Sequence, residues 1–490
     1  MRLLIIISII LILSADFKTG MTMERDKYES HVITLSVTYQ TYNQHNPWVK
    51  NKPLTRTAQA VVIDDSKILT TASMVADATL IQAKKHGKSQ KFSARIIQKD
   101  MELNLALLTV DKKGFYDDLS PASLARTLIT QGNIKSVRWK DRQLEISTSR
   151  INRIEVLRPG NTRSVEYAVI RATTDLSSGG MAEPVFIDGE LLGLTVSQSN
   201  QLASILPAEL ILSYLKAVKQ DEYPGFATMG IGWQYHRDPA VASWLGQKGD
   251  IQGVLIRNVA YGETGDDVLQ PKDVLLEIDG HVIDTDGYYT HPVYGQLRYT
   301  NILSDGHMIG DKLPIKVFRD RMVLDLEMEL KGFPADIRLI PYRRSDHSPP
   351  YLVAGGFVFR ELDYNYLRSA GKNWRSRTDL RLVTYWDLER GAQSPDRKRI
   401  IILSKVLPDS YNIGYHNLRD LVVKQVNGYE INSIHDLEKA FSHPDEGFHT
   451  IIFRSNFTRN RVVLDSADFE RSTERIMNTY NIPDRIRLKY

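Results

Sequence analysis

Short apolar runs separated by turn signals fill the chain from about residue 30 to residue 218. Residues 60–63 and 68–71 flank an Asp64-Asp65-Ser66 turn. Residues 80–84 and 92–98 flank the polar stretch 85–91, and the run 105–110 follows. Residues 185–187 and 191–196 enclose Asp188-Gly189, a hairpin signal. Strands of this length in fewer than about 200 residues predict an all-β barrel or sandwich. The spacing of Ile211, Leu212 and Leu215 predicts a helix over 207–218 that closes this unit, and Tyr223-Pro224-Gly225 marks its boundary.

Beyond that boundary a pattern occurs twice. Asp273-Val-Leu-Leu-Glu-Ile-Asp-Gly-His-Val-Ile283 aligns with Leu421-Val-Val-Lys-Gln-Val-Asn-Gly-Tyr-Glu-Ile431 on Gly280 and Gly428. Each copy predicts a strand, a tight turn and a second short strand. A candidate helix follows (297–303 and 434–441), then a strand pair (313–319 with 322–330, and 450–454 with 461–464). Ser433 with Asp436 three later is a helix-start signal. Residues 334–350 read as a linker and 467–480 as a terminal helix. The predicted segments are 28–220, 224–333, 347–466 and a tail, 467–490.

The N-terminus adds an address. Arg2, an apolar run over 3–13, then Ser14 and Ala15 make a secretory signal peptide ending near residue 20, with the cell envelope or periplasm as destination. The run is shorter than the roughly 20 residues of a membrane span. Leu13 suits cleavage after Ala15 poorly, so an uncleaved membrane anchor is the alternative. Charge adds little: 63 basic against 59 acidic residues give +4, with no basic stripe for nucleic acid. The absence of cysteine excludes disulfides, thiolate metal sites and thiol nucleophiles. No phosphate loop, HExxH motif or histidine spacing calls for a cofactor or metal.

Residues 68–75, 104–108 and 175–185, in this order and before two such repeats, resemble the Deg/HtrA serine proteases, and residues 404–415 with the tail at 480–483 look most like the plant-type Deg branch and its bacterial relatives. Ile68-Leu-Thr-Thr-Ala-Ser-Met-Val75 resembles the segment carrying the catalytic histidine. Asn104-Leu-Ala-Leu-Leu108 resembles the strand opening on the catalytic aspartate. Asp175-Leu-Ser-Ser-Gly-Gly-Met-Ala-Glu-Pro-Val185 resembles the nucleophile loop. The resemblance implies a mainly β protein, a trypsin-like double β-barrel followed by two PDZ-like α+β domains. It also implies assembly into trimers or their multiples, whose aromatic contacts would be sought among Tyr28, Tyr39 and Tyr42.

The histidine position is occupied by Ser73 and the aspartate position by Asn104. A serine hydroxyl is no base near neutral pH, and an amide cannot stabilise an imidazolium. Aligned on Pro184-Val185, the nucleophile position is Met181. Aligned on Ser178-Gly179-Gly180, it is Ser178 with three residues inserted. Nothing in the placement of His31, His45 or His86 recommends any of them as a replacement base, so the domain reads as a pseudo-protease. A PDZ domain captures an extended peptide as an added strand and holds its terminal carboxylate on loop amides. Met229-Gly230-Ile231-Gly232 and Gly355-Gly356-Phe357-Val358 are the candidate loops. The expected function is binding of unfolded or C-terminal peptides as a scaffold or chaperone. The alternatives are an unconventional serine endopeptidase using Ser178 and a structural subunit of an active relative.

Overall fold

Backbone pairing closes two six-stranded sheets on themselves in this computed structural model. It describes residues 27–488 apart from 65, 87, 159–164, 248–251, 333–337, 343–344, 391–393, 395–396 and 455–459. The proposed signal segment lies outside the described residues. Strands β1 (Val32–Tyr39), β2 (Leu54–Asp64), β3 (Lys67–Thr70), β4 (Ala78–Lys84), β5 (Lys91–Asp100) and β6 (Leu105–Thr109) close in the order β1-β2-β3-β6-β5-β4. Strands β7 (Asn133–Lys140), β8 (Gln143–Leu157), β9 (Tyr167–Thr173), β10 (Pro184–Ile187), β11 (Glu190–Ser199) and β12 (Leu202–Pro207) close in the order β10-β11-β12-β9-β8-β7. Closure leaves neither barrel a free edge.

Successive side chains on a strand face opposite ways, and here both faces find apolar partners. Ile33, Ala60, Val62, Ile68 and Leu108 fill the first barrel. Their neighbours Val32, Val61, Leu69 and Leu107 join Val137, Tyr167, Phe186 and Leu206 in a shared layer between the barrels. Gln59, 1% exposed, clamps that layer. Its side-chain amide donates to the Trp139 carbonyl (3.0 Å) and accepts from the Trp139 N–H (2.9 Å). The helix Ala208–Ala217 buries Leu210, Ile211, Tyr214 and Ala217. Leu212, expected on the inner face, is 36% exposed. Tyr214 takes the inward place, its ring buried and its hydroxyl donating to the Gln98 carbonyl at 2.9 Å.

The chain divides into two compact units. One holds the residues up to Tyr39, Leu54–Asn258 and Asp267–Gly332; the other holds Gln40–Pro53, Val259–Asp266 and Phe333–Tyr490. The first repeat therefore shares a unit with the barrels. Its strands are β13 (Ile231–Gln234), β14 (Val254–Val259), β15 (Val274–Ile278), β16 (His281–Val282), β17 (Tyr288–His291), β18 (Gly295–Arg298), β19 (Lys312–Arg319) and β20 (Met322–Glu329). They form a sheet ordered β13-β14-β15-β19-β20, with β16 on β15 and β17–β18 as a separate hairpin. The helix expected over 297–303 is a 3-10 helix, Tyr299–Ser304.

In the second unit, β21 (Tyr351–Ala354), β22 (Phe357–Glu361), β23 (Ile401–Val406), β24 (Leu421–Val426), β25 (Tyr429–Glu430), β26 (Phe448–Phe453), β27 (Arg461–Asp465) and β28 (Ile486–Arg487) form one sheet, ordered β27-β26-β24-β23-β22-β21-β28 with β25 on β24. Both repeat turns adopt left-handed backbone at the two predicted positions: Asp279 and Gly280 at φ 48° and 76°, Asn427 and Gly428 at 49° and 81°. The tail is not a separate segment: Phe469 of the helix Phe469–Thr479 is 1% exposed in the core and β28 pairs with β21. Nor does the domain wait for residue 347, because Leu339 and Ile340 already pack with Leu362 and Trp386. Short helices between β22 and β23 bury Tyr366, Trp374 and Trp386, and Tyr364 stacks on Trp386 at 4.9 Å. No helix among the described residues is long and apolar enough to cross a membrane.

Gln59→Leu keeps the volume but leaves the Trp139 N–H and carbonyl buried without their partner. A loss of about 2–4 kcal/mol is expected, read as a lower denaturant midpoint for the barrel unit. A midpoint equal to that of the parent refutes the clamp.

Candidate active-site remnant and peptide loops

The sharp turn after β3 is a single-turn helix, Ala72–Val75, which places Ser73 beside the residue preceding β6. That residue, Asn104, is 3% exposed and takes φ +62°. Asparagine tolerates this left-handed backbone better than most residues. Its Oδ1 accepts the Ser73 N–H at 2.8 Å, and its carbonyl accepts the Ala72 N–H at 3.2 Å. The Ser73 hydroxyl lies 3.4 Å from the Thr71 hydroxyl. The structure thus brings positions 73 and 104 together, with no group there able to accept a proton near neutral pH.

The loop before β10 supplies the third component. β10 pairs Pro184 with Leu194 and Val185 with Gly193. Upstream, the Met181 carbonyl accepts the Gln59 N–H at 2.8 Å, whereas the Ser178 carbonyl is held by Arg138. Gln59 lies beside Thr70, whose hydroxyl donates to the Gln59 carbonyl at 2.8 Å. Met181 is therefore tied to the strand leading to Ser73, and Ser178 is exposed on the second barrel. Glu183 is fully buried, and one carboxylate oxygen accepts the N–H groups of Gly180 (2.9 Å) and Met181 (3.1 Å). Burial pushes its carboxyl upward, against the pull of these amides and of Arg138. Gly180 and Ala182 take φ +89° and +66° to turn the chain around it.

The histidines are engaged elsewhere. His31 bonds the Ser120 carbonyl at 2.6 Å, His86 stacks on Trp139 at 5.6 Å, and His45 packs against Tyr366 at 5.6 Å. Tyr28 is buried against Phe186 (4.8 Å) and Tyr39 lies beneath the Arg56 guanidinium (4.1 Å). Tyr28 is therefore unavailable as an exposed trimer contact. No group of three potential metal ligands occurs among the described residues.

The two peptide loops differ. Met229 is buried, Gly230 turns at φ 69°, and Ile231 and Gly232 begin β13, which pairs only with β14 among the described strands. No described strand pairs with its other edge. The second loop does not fit the role expected of it. Gly355, Gly356, Phe357 and Val358 are all buried, and β22 is paired on both sides, by β21 and β23. The Gly355 N–H donates to Thr473 of the terminal helix at 2.9 Å, and its carbonyl accepts from Asn412 at 2.9 Å. A Cβ on Gly356 would overlap Asn412 and the Leu407 carbonyl. These glycines serve a packed hairpin turn, and the Gly355 amide is already taken by Thr473.

Gln59, Arg138, Glu183 and Thr473 were not singled out from sequence. Glu183 carried a signal, since a carboxylate between a glycine turn and an apolar strand must find donors.

Two closed barrels joined through a buried layer, with sites at the loops between strands, define a trypsin-like double barrel; a PDZ domain accompanies it. The family model described as PDZ domain matches residues 340–486. Protease Do-like 2, chloroplastic, of Arabidopsis thaliana is 24% identical over 464 residues, 92% of this chain and 74% of that protein. Protease Do-like 4, mitochondrial, of the same organism is 24% identical over 460 residues, 92% and 84% respectively. A solved AlgW variant, an HtrA-type protease with a decapeptide, shares the fold at a TM-score of 0.50 and 18% identity, covering 63% of this chain and 97% of that one. Along most of its length the chain is similar to proteases of the Deg/HtrA family.

Two outcomes test the site as described. Asn104→Ala removes the acceptor for Ser73 and puts a less tolerant residue at φ +62°. A loss of about 1–3 kcal/mol is expected in denaturant unfolding, and no change refutes the bond's role. Glu183→Gln keeps an acceptor for the two amides and removes the charge. Because the folded-state pKa of Glu183 is raised, its ionisation costs stability as pH rises through that value. The variant should melt higher than the parent at pH 8, with the gap narrowing toward pH 4.5; a gap independent of pH is the contrary result.

Proposed function

We propose that this chain is an exported, non-catalytic Deg/HtrA protein that binds unfolded chains and C-terminal peptides as a scaffold or holdase. One observation carries the non-catalytic reading: the buried Glu183 carboxylate occupies the Gly180 and Met181 amides. Acyl transfer needs a base, a group that orients it, and backbone donors left free for the oxyanion. Ser73 and Asn104 supply neither of the first two. In the register set by Pro184, the Met181 N–H is the nucleophile residue's own oxyanion donor, and it already holds a carboxylate. A second negative charge developing there is repelled.

Support for peptide binding comes from the open edge of β13 behind the Gly230 turn. Strand addition uses the free N–H and C=O groups of such an edge. An HtrA-type relative solved with a decapeptide gives the reading a precedent. Export rests on Arg2 and the apolar run over 3–13. Homo-oligomeric assembly belongs to the same reading, through contacts other than Tyr28.

A fluorophosphonate probe and a casein digest test the proposal on the purified mature chain. Neither labelling nor cleavage is expected, while a fluorescent unfolded peptide is retained. Labelling abolished by Ser178→Ala would establish the endopeptidase reading instead. Restoring the triad by Ser73→His/Asn104→Asp/Met181→Ser should leave labelling weak. Adding Glu183→Gly should raise it by about 10²–10³-fold, the usual worth of an oxyanion donor. Equal labelling of the two variants refutes the role assigned to Glu183.

A further inference from the structure

We propose that Arg298 reads an acidic side chain of the peptide added to β13, so that the first repeat selects extended ligands carrying Asp or Glu near their C-terminus. The inference rests on the peptide-binding reading above and specifies its ligand. Arg298 ends β18 and immediately precedes the 3-10 helix Tyr299–Ser304. Its guanidinium carbon lies 5.2 Å from the Trp233 ring centre and 5.0 Å from that of Tyr288. Trp233 belongs to β13, so this cation stands against the strand whose edge is open.

The aromatic platform is itself braced. Trp233 meets Tyr299 and Tyr235 edge-on, each at 5.6 Å between ring centres. It lies so close over Gly287 that a Cβ there would come within 2.8 Å of the indole. A stacked guanidinium keeps its in-plane N–H donors available, in the fork that suits a carboxylate. Among the described residues Arg298 forms no ion pair, its only polar contact being 3.5 Å to the Tyr288 hydroxyl. Asp286 feels its charge but is paired with Arg237.

The strand pattern then gives the ligand chemistry. Trp233 and Tyr235 are alternate residues and share a face. A peptide pairing with the edge lays alternate side chains on that same face. A carboxylate there meets a pre-oriented, half-buried cation, whereas a lysine meets a like charge. Such a partly exposed pair is worth about twofold to fivefold in affinity.

Fluorescence polarisation of the purified full chain tests this with fluorescein-labelled decapeptides bearing a free C-terminal carboxylate. Glu, Gln or Lys is placed in turn at each of the last five positions. One position is expected at which Glu binds about twofold to fivefold tighter than Gln, with Lys weakest. Arg298→Gln should abolish that order, and Arg298→Glu should reverse it, the order of Glu, Gln and Lys at that position being the readout. Preference for Glu that survives both substitutions, or binding with no preference at all, overturns the role of Arg298 while leaving peptide binding intact. Failure of every peptide to bind the parent overturns the peptide-binding reading and this inference with it.

Discussion

Four hydrogen-bonding groups of Gln59 are all spent at one place, and the arrangement of the barrel unit depends on them. The N–H donates to Met181, the carbonyl accepts from Thr70, and the side-chain amide closes a reciprocal pair with Trp139. A buried amide left half-paired is costly, whereas one fully paired is directional. The apolar layer holds the barrels together without specifying how they are turned. Gln59 specifies it, tying β7 and the loop before β10 to the strand that leads to Ser73. The bonds of Gln59 therefore hold the loop before β10 and the turn at Ser73 in place whatever side chains stand at positions 73, 104 and 181.

The same accounting separates the two repeats. A sheet edge or turn must place its N–H and C=O groups somewhere. In the second repeat they are consumed internally: β21 covers β22, β28 covers β21, and Thr473 and Asn412 take the groups of Gly355. In the first repeat β13 has a partner on one side only. Two copies of one pattern thus end in opposite states, and the difference lies in segments outside the repeated pattern. The terminal helix and β28 close the one, and among the described residues no equivalent follows the other.

The turn pattern made the barrels and both repeats legible, because Asp279-Gly280 and Asn427-Gly428 dictate local backbone whatever surrounds them. Strands β1, β7, β8, β9 and β12 were harder to see. In β1, β9 and β12 both faces are largely buried, as at Val32 and Ile33, and alternation disappears from the sequence. The helices between β22 and β23 are short and held by aromatic stacking, a tertiary effect that no periodicity announces. At the site, the pairing of positions 73 and 104 followed from the family resemblance. The second peptide loop was misjudged for a physical reason: glycine serves a packed turn and a ligand-binding loop equally well, and only the neighbours decide between them.

Those neighbours also explain why the remnant persists as a structure. Asn104 accepts the backbone N–H of Ser73 and so ties the turn after β3 to the start of β6 without carrying a charge. Glu183 plays the complementary part. A turn that aims two amides at one point must satisfy them when no substrate anion arrives, and a side-chain carboxylate three residues from Gly180 does so continuously. In the proposed reading, loss of catalysis and stabilisation of the empty loop are one substitution pattern, since an amide pair cannot be both permanently filled and free for an oxyanion.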